Sequence, residues 1–280
     1  MQYSKMELAN WSFKCLSLNG FSGDRTPFGM KACQPLSKAL SDYLKIEVEH
    51  HGEPEPISDL NWDRALLESE KILNRASQLM KKSFSDGFKP LLITPRCATA
   101  IATLPQVVAE FPECIVVYLD AHGDVTTPTT SESGYLGGMP ITGAMGIWDS
   151  GFGSGLKANQ LVHIGGRDFD SCEREFFEKN QIMVLSKQQL EQNTSEFECL
   201  IKDKPVYIHI DADVYEPSEV VAEYAVPDGL YRQDVHKILK IVQESSCLVG
   251  IEITEISPKS ETEYEQSCLA LFDSLQSLRR

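Results

Sequence analysis

Short apolar runs recur along the chain, separated by segments with helical spacing. Runs near 14–18, 45–50, 90–94, 114–120, 160–165, 182–185, 206–213 and 247–256 predict strands. Most are continuous rather than alternating, as expected for parallel strands covered on both faces. Segments 61–81, 98–110, 171–179, 232–244 and 262–279 carry helical periodicity, with Pro95 and Pro258 as punctuation before two of them. Strand-then-helix alternation over the whole length predicts an α/β fold. We expect a three-layer α/β/α sandwich on a mainly parallel central sheet, with residues 1–280 forming a single domain.

In such a sheet the functional side chains belong just beyond the carboxyl ends of the strands. Three apolar runs end in that way. The run Ile115, Val116, Val117, Tyr118, Leu119 leads into Asp120, His122 and Asp124, spaced at every second position. The run 206–210 ends in Asp211 and Asp213, again two apart and so on one face. Glu255 follows a third run, within 250–258. One such acid alone reads as a solvated or capping carboxylate. Together at neighbouring strand ends they repel one another, and desolvation costs several kcal/mol per ion unless the charge is neutralised. No run of Lys or Arg lies nearby in the sequence. Asp120, Asp124, Asp211 and Asp213 carry a summed charge of −4, which two divalent ions balance. Oxygen-rich ligation with one imidazole suits Mn²⁺ better than a structural zinc.

Composition narrows the partners. The 280 residues are 42% hydrophobic and 24% charged, ordinary for a soluble globular protein, and the formal charge is −15. That charge argues against nucleic acid and against an anionic membrane surface, and leaves cationic or zwitterionic partners open. No apolar run approaches the roughly 20 residues that span a bilayer. The start, MQYSKMELANWSFK, lacks the pattern of a secretory signal, so a cytoplasmic protein is expected. The eight cysteines are scattered without a CxxC pair and read as reduced, mostly core thiols.

The motifs 120-DAHGD-124, 211-DAD-213 and 255-EISP-258, in this order and spacing, resemble those of the ureohydrolase family, which contains arginase and agmatinase. The likeness extends to 124–140, to 164-IGGRDFD-170 and to 227-PDGLYRQD-234. It implies an amidinohydrolase in which water activated by two Mn²⁺ ions attacks a guanidinium carbon. By that resemblance Asp120 and Asp211 bridge both ions, Asp124 completes one site, and His122 and Asp213 complete the other. Asp124 and Glu255 are the expected catalytic residues. Glu255 would face the guanidino nitrogens in a charge-assisted, potentially bidentate contact. Asp170 would take the substrate α-amino group, and Thr126, Ser131 and Ser133 would hold an α-carboxylate. Ser133 with Asp170 favours a guanidino amino acid over decarboxylated agmatine.

The chain departs from the family pattern in three places. Cys97 stands where the family places its first histidine ligand. It is either a small buried filler or a thiolate ligand that admits Fe²⁺, Co²⁺ or Zn²⁺ as rivals to Mn²⁺. Gly137 stands where arginases carry a histidine proposed to shuttle protons, and loss of a general acid typically costs about 10²–10⁴ in rate. Tyr135 replaces a family asparagine in the same loop. These changes make plain arginine a harder substrate and point to Nω-hydroxy-L-arginine, cleaved to L-ornithine and hydroxyurea, with L-arginine as the main rival. His209 shares a face with Asp211 and Asp213. It is either a hydrogen-bonded core histidine or a residue that orients a ligating aspartate. Two other readings stay open: an agmatinase or formimidoylglutamase-type hydrolase, and a metal-poor homologue that binds without catalysis. Arginases are often trimers, but the chain stops soon after its last expected helix, so assembly through a tail is not expected.

Overall fold

A computed structural model describes residues 3 and 5–279. Eight strands form one sheet: β1 (Ser12–Leu18), β2 (Val48–His51), β3 (Phe88–Ile93), β4 (Ile115–Leu119), β5 (Leu161–Ile164), β6 (Met183–Leu185), β7 (Pro205–Asp211) and β8 (Cys247–Thr254). Their order is β2-β1-β3-β8-β7-β4-β5-β6, and every pairing is parallel.

The continuous apolar runs follow from cover on both faces. In β4, Ile115, Val117 and Leu119 face one core with Cys15, Ile208 and Ile251. Val116 and Tyr118, one residue out of phase, face the other core with Leu16 and Tyr207. The first core is closed by helices Phe28–Leu44, Arg232–Ser245 and Glu261–Leu275, which contribute Leu36, Leu40, Leu239 and Leu271. The second is closed by Glu70–Ser85, Ala100–Glu110 and Ser171–Lys179, through Leu73, Met80, Val107 and Phe177. The arrangement is the expected three-layer sandwich. Among the described residues no helix is long and apolar enough to cross a membrane.

The structure departs from the sequence reading in its helices. Phe28–Leu44 is one 17-residue helix with Pro35 inside it. Proline removes one i→i−4 hydrogen bond and normally breaks a helix. Here burial of Met30, Cys33, Leu36, Leu40 and Leu44 along one stripe outweighs that loss. The segment 61–81 is divided at Ser69 into Trp62–Glu68 and Glu70–Ser85. Two cysteines are not core thiols, since Cys199 is exposed and Cys172 half-buried.

Strand order places the ends of β3, β8, β7 and β4 side by side at the centre of the sheet. Ile208 lies in the middle of β7 with no exposed surface. Its replacement by alanine is expected to destabilise the fold by about 2–5 kcal/mol, read as a lowered urea midpoint at unchanged slope.

Candidate active site

The ends of β4, β7 and β8 deliver the acids foreseen from the sequence into one place, and the turn after β3 adds Cys97. A cavity of about 240 Å³ is lined at its buried end by Cys97, Asp124, Asp211, Asp213 and Glu255, with half-buried His122 beside them. Thr126, Ser133 and Asp170 also line it, the last two exposed. Asp120 lies fully buried behind the wall, its Oδ1 3.6 Å from His122 Nδ1. Ser131 is not part of the lining; its hydroxyl accepts from the Gly134 N–H at 3.1 Å.

Two of these acids sit on strained backbone. Asp124 and Glu255 have φ of 55° and 63°. The left-handed region costs a non-glycine residue roughly 1–2 kcal/mol, and such strain concentrates at functional sites. The conformation is held by packing and hydrogen bonds. The Tyr118 hydroxyl donates to Asp124 Oδ2 at 2.6 Å, and the Glu255 N–H donates to the Pro95 carbonyl at 3.2 Å.

Charge at the site is unbalanced. Burial, and then the nearby Asp124 and Asp213, push the Asp120 carboxyl well above its usual range. Burial, Asp213 and Asp120 do the same to Asp211. Burial raises Asp124 to about 8. Asp213 is held low despite burial because His122 Nδ1 lies 3.0 Å from its Oδ2. Burial pulls His122 down, but the contact with Asp213 outweighs it and raises the imidazole to about 10. One imidazole does not neutralise four buried carboxylates.

The donor set fits divalent cations. Asp120 Oδ2 is buried with no hydrogen-bond partner, an orphaned acceptor of the sort a metal satisfies. Ligand atoms of Asp120, His122 and Asp213 lie within 4.8 Å of one another, as do those of Cys97, Asp211 and Glu255, and those of Cys97, Asp120 and His209. The Cys97 thiol is fully enclosed, donating to Asp211 Oδ2 at 2.7 Å, with Thr254 Oγ1 at 2.9 Å and His209 Nε2 at 3.2 Å.

His209 therefore presents Nε2 to both the Cys97 thiol and, at 3.5 Å, the Thr254 hydroxyl. Its other nitrogen lies 3.2 Å from Glu252 Oε2, which also accepts from the Thr103 hydroxyl at 3.0 Å. Its ring stacks on Tyr118 at 4.0 Å between centroids.

Several site residues were not foreseen. Arg25, Asp168, Glu173 and Tyr224 line the cavity. Arg96 is a buried cation beside the site, which the absence of a Lys or Arg run in the sequence did not anticipate. It pairs with Asp24 at 3.0 Å, with Glu255 at 2.5 Å and with Glu223. Its one positive charge is shared among these three carboxylates, and His122 is the cation paired within the aspartate group. Its signal in the sequence was its place next to Cys97 at the end of β3.

Gly137 and Tyr135 prove to be one feature. A Cβ added at Gly137 would lie 2.4 Å from Tyr135 Cε1 and 3.0 Å from its hydroxyl. The tyrosine ring fills the space of a side chain at position 137, and its hydroxyl lies 3.4 Å from Glu255 Oε1.

A single parallel sheet wrapped by helices, with an acidic cavity at the central strand ends whose donor set suits divalent cations, defines the class as an α/β protein with a candidate metal site. Comparison with known proteins gives the family. The Arginase family model matches residues 28–278. An N(omega)-hydroxy-L-arginine amidinohydrolase of Streptomyces lavendulae is 34% identical over 252 residues, covering 90% of this chain and 91% of that protein. An arginase of Bacillus caldovelox is 26% identical over 204 residues, 68% of this chain and 67% of that one. The crystal structure of arginase from Bacillus cereus superposes with a TM-score of 0.83 at 21% identity, covering 95% of this chain and 98% of that one. The chain belongs to the arginase family and is a hydrolase of C–N bonds in linear amidines.

Two outcomes follow. Metal-stripped protein is expected to lose stability as pH rises from about 4 to about 8. Over that range the unfolded Asp124 ionises, from about 3.9, while the folded one holds its proton up to about 8. The raised His122 acts in the same direction up to about 10. Added Mn²⁺ should abolish the fall, and thermal midpoints measured across pH with and without metal check it. Separately, Gly137→Ala should lower activity by displacing Tyr135, and Tyr135→Ala in the same chain should relieve the clash, read as restored thermal stability.

Proposed function

We propose that the protein hydrolyses the guanidino C–N bond of an amino acid, with Nω-hydroxy-L-arginine as the favoured substrate and L-ornithine and hydroxyurea as products. The observation that carries this is the cavity itself: buried carboxylates with one imidazole among them at one end, and the exposed polar residues Ser133 and Asp170 among its lining. A volume of about 240 Å³ suits one small metabolite. The likeness to an N(omega)-hydroxy-L-arginine amidinohydrolase supports the choice of substrate.

Cys97, Asp120, Asp124 and Asp211 would hold one Mn²⁺, and Asp120, His122, Asp211 and Asp213 a second. Bound there, divalent ions supply Lewis acidity and bring the acidity of water close to neutral. The remaining chemistry belongs to the chain. Asp170 meets the substrate α-amino group, and Thr126 and Ser133 meet its α-carboxylate. Glu255 and Tyr135 meet the guanidine end. Water adds its oxygen to the guanidine carbon, the bond to the chain nitrogen breaks, and that nitrogen takes a proton and leaves as the ornithine amine. Asp124, which accepts from the Tyr118 hydroxyl, would handle protons in this step. Burial and the surrounding carboxylates push the Cys97 thiol well above its usual range, so a thiolate ligand there would need a bound cation to displace the proton.

Ornithine release with added Mn²⁺ should be fastest from Nω-hydroxy-L-arginine, slower from L-arginine, and absent with agmatine, which would yield no amino acid; putrescine formation from agmatine would overturn the amino-acid assignment. Cys97→Ala should weaken Mn²⁺ binding by about tenfold or more in equilibrium dialysis. Unchanged affinity would remove Cys97 from the ligand set.

A further inference from the structure

Arg96 has no part in the chemistry derived above, yet it is one of the most heavily committed side chains in the molecule. Its guanidinium is fully buried and reaches three carboxylates: Asp24 at 3.0 Å, Glu255 at 2.5 Å, and Glu223. Two of those acids are spent on the protein itself. The other oxygen of Asp24 accepts from the backbone N–H and hydroxyl of Ser22 at 2.9 and 3.2 Å. Glu223 also accepts from the Thr26 hydroxyl at 2.7 Å. Of the three acids, Glu255 alone lines the cavity.

Glu255 has little left to offer a substrate. Its Oε2 faces Arg96, and its Oε1 accepts from the Cys97 N–H at 3.1 Å and from the Tyr135 hydroxyl at 3.4 Å. A carboxylate has about four acceptor positions, so a fork of two N–H donors from a substrate finds no free edge. A second guanidinium, that of Arg25, lies over the Tyr135 ring with its carbon 4.9 Å from the centroid.

We propose that Arg96 sets the charge of the substrate: with Glu255 already paired to a permanent internal cation, the cavity disfavours a guanidinium and selects an uncharged, N-oxygenated guanidine. The inference rests on the amidinohydrolase reading above and deepens it. Arg96 keeps its proton at any working pH, so the pairing is fixed. A substrate guanidinium against Glu255 would stand close to this like charge in a poorly screened interior. An N-hydroxyguanidine escapes that cost, because its electron-withdrawing oxygen makes it a weaker base that binds as the neutral form. Its hydroxyl can donate to the one position left on Glu255.

The test is the ratio of kcat/KM for Nω-hydroxy-L-arginine over L-arginine. It is measured in wild type and in two charge-balanced variants, Arg96→Gln with Asp24→Asn and Arg96→Gln with Glu223→Gln. In each variant that folds, the ratio is expected to fall by about tenfold or more. A residue that merely ties loops together would slow both substrates alike, so an unchanged ratio overturns the proposal while leaving the amidinohydrolase reading intact. A wild type that prefers L-arginine overturns it too. A wild type that hydrolyses neither substrate overturns both readings. One measurement needs no variant: calorimetric binding of L-arginine and of its uncharged ureido counterpart, L-citrulline, to Mn²⁺-loaded wild type. L-citrulline is expected to bind at least as tightly; L-arginine binding about tenfold tighter or more overturns the proposal.

Discussion

The desolvation of Asp120, Asp124, Asp211 and Asp213 is the constraint around which the centre of this molecule is built. All four are buried at the carboxyl ends of β4 and β7, neighbours in the sheet. Parallel pairing in register makes the ends of these strands coincide, so four like charges meet in a medium that screens them poorly. Among them the chain supplies one imidazole, His122. The alternatives in the absence of a cation are proton uptake or local disruption, and the raised carboxyls express the first of these. The orphaned Asp120 Oδ2 and the left-handed backbone at Asp124 are further costs accepted at the same spot. A site that bears them is poised for a strongly charged guest.

The cavity holds a second charge group with opposite logic. Around Glu255 the chain provides its own cation, Arg96, together with two further hydrogen-bond donors. One end of the site therefore calls for external positive charge, while at the other the chain's own guanidinium already holds the cavity carboxylate. This division gives meaning to the departures from the arginase pattern. Cys97 sits at the junction, its thiol toward Asp211 and its backbone N–H on Glu255. Tyr135 occupies the space beside Gly137 and reaches the same carboxylate. Cys97, Tyr135 and Gly137 read as one coordinated change at the Glu255 end of the cavity, with Arg96 beside them.

Much of this was legible in the sequence, for identifiable reasons. Continuous apolar runs marked the buried parallel strands, because cover on both faces removes the polar alternation. Polar residues at two-residue spacing after those runs marked the site, because the strand period keeps them on one face. What escaped were features that depend on distance in space. The helix Phe28–Leu44 contains Pro35, a local breaker that only its packed apolar stripe overrides. Arg96 finds its three carboxylates 72, 127 and 159 residues away along the chain. The dependence of Gly137 on the Tyr135 ring is a steric relation that no spacing rule encodes. The placement of Ser131 toward Gly134 rather than into the cavity is likewise a loop detail that its residue type does not fix.

The most direct test of the account is a calorimetric titration of metal-stripped protein with Mn²⁺, repeated on Asp211→Asn. The account predicts two ions bound per wild-type chain, with both sites weakened when the shared aspartate loses its charge. A wild type that binds no divalent ion while its aspartates remain buried together would contradict it.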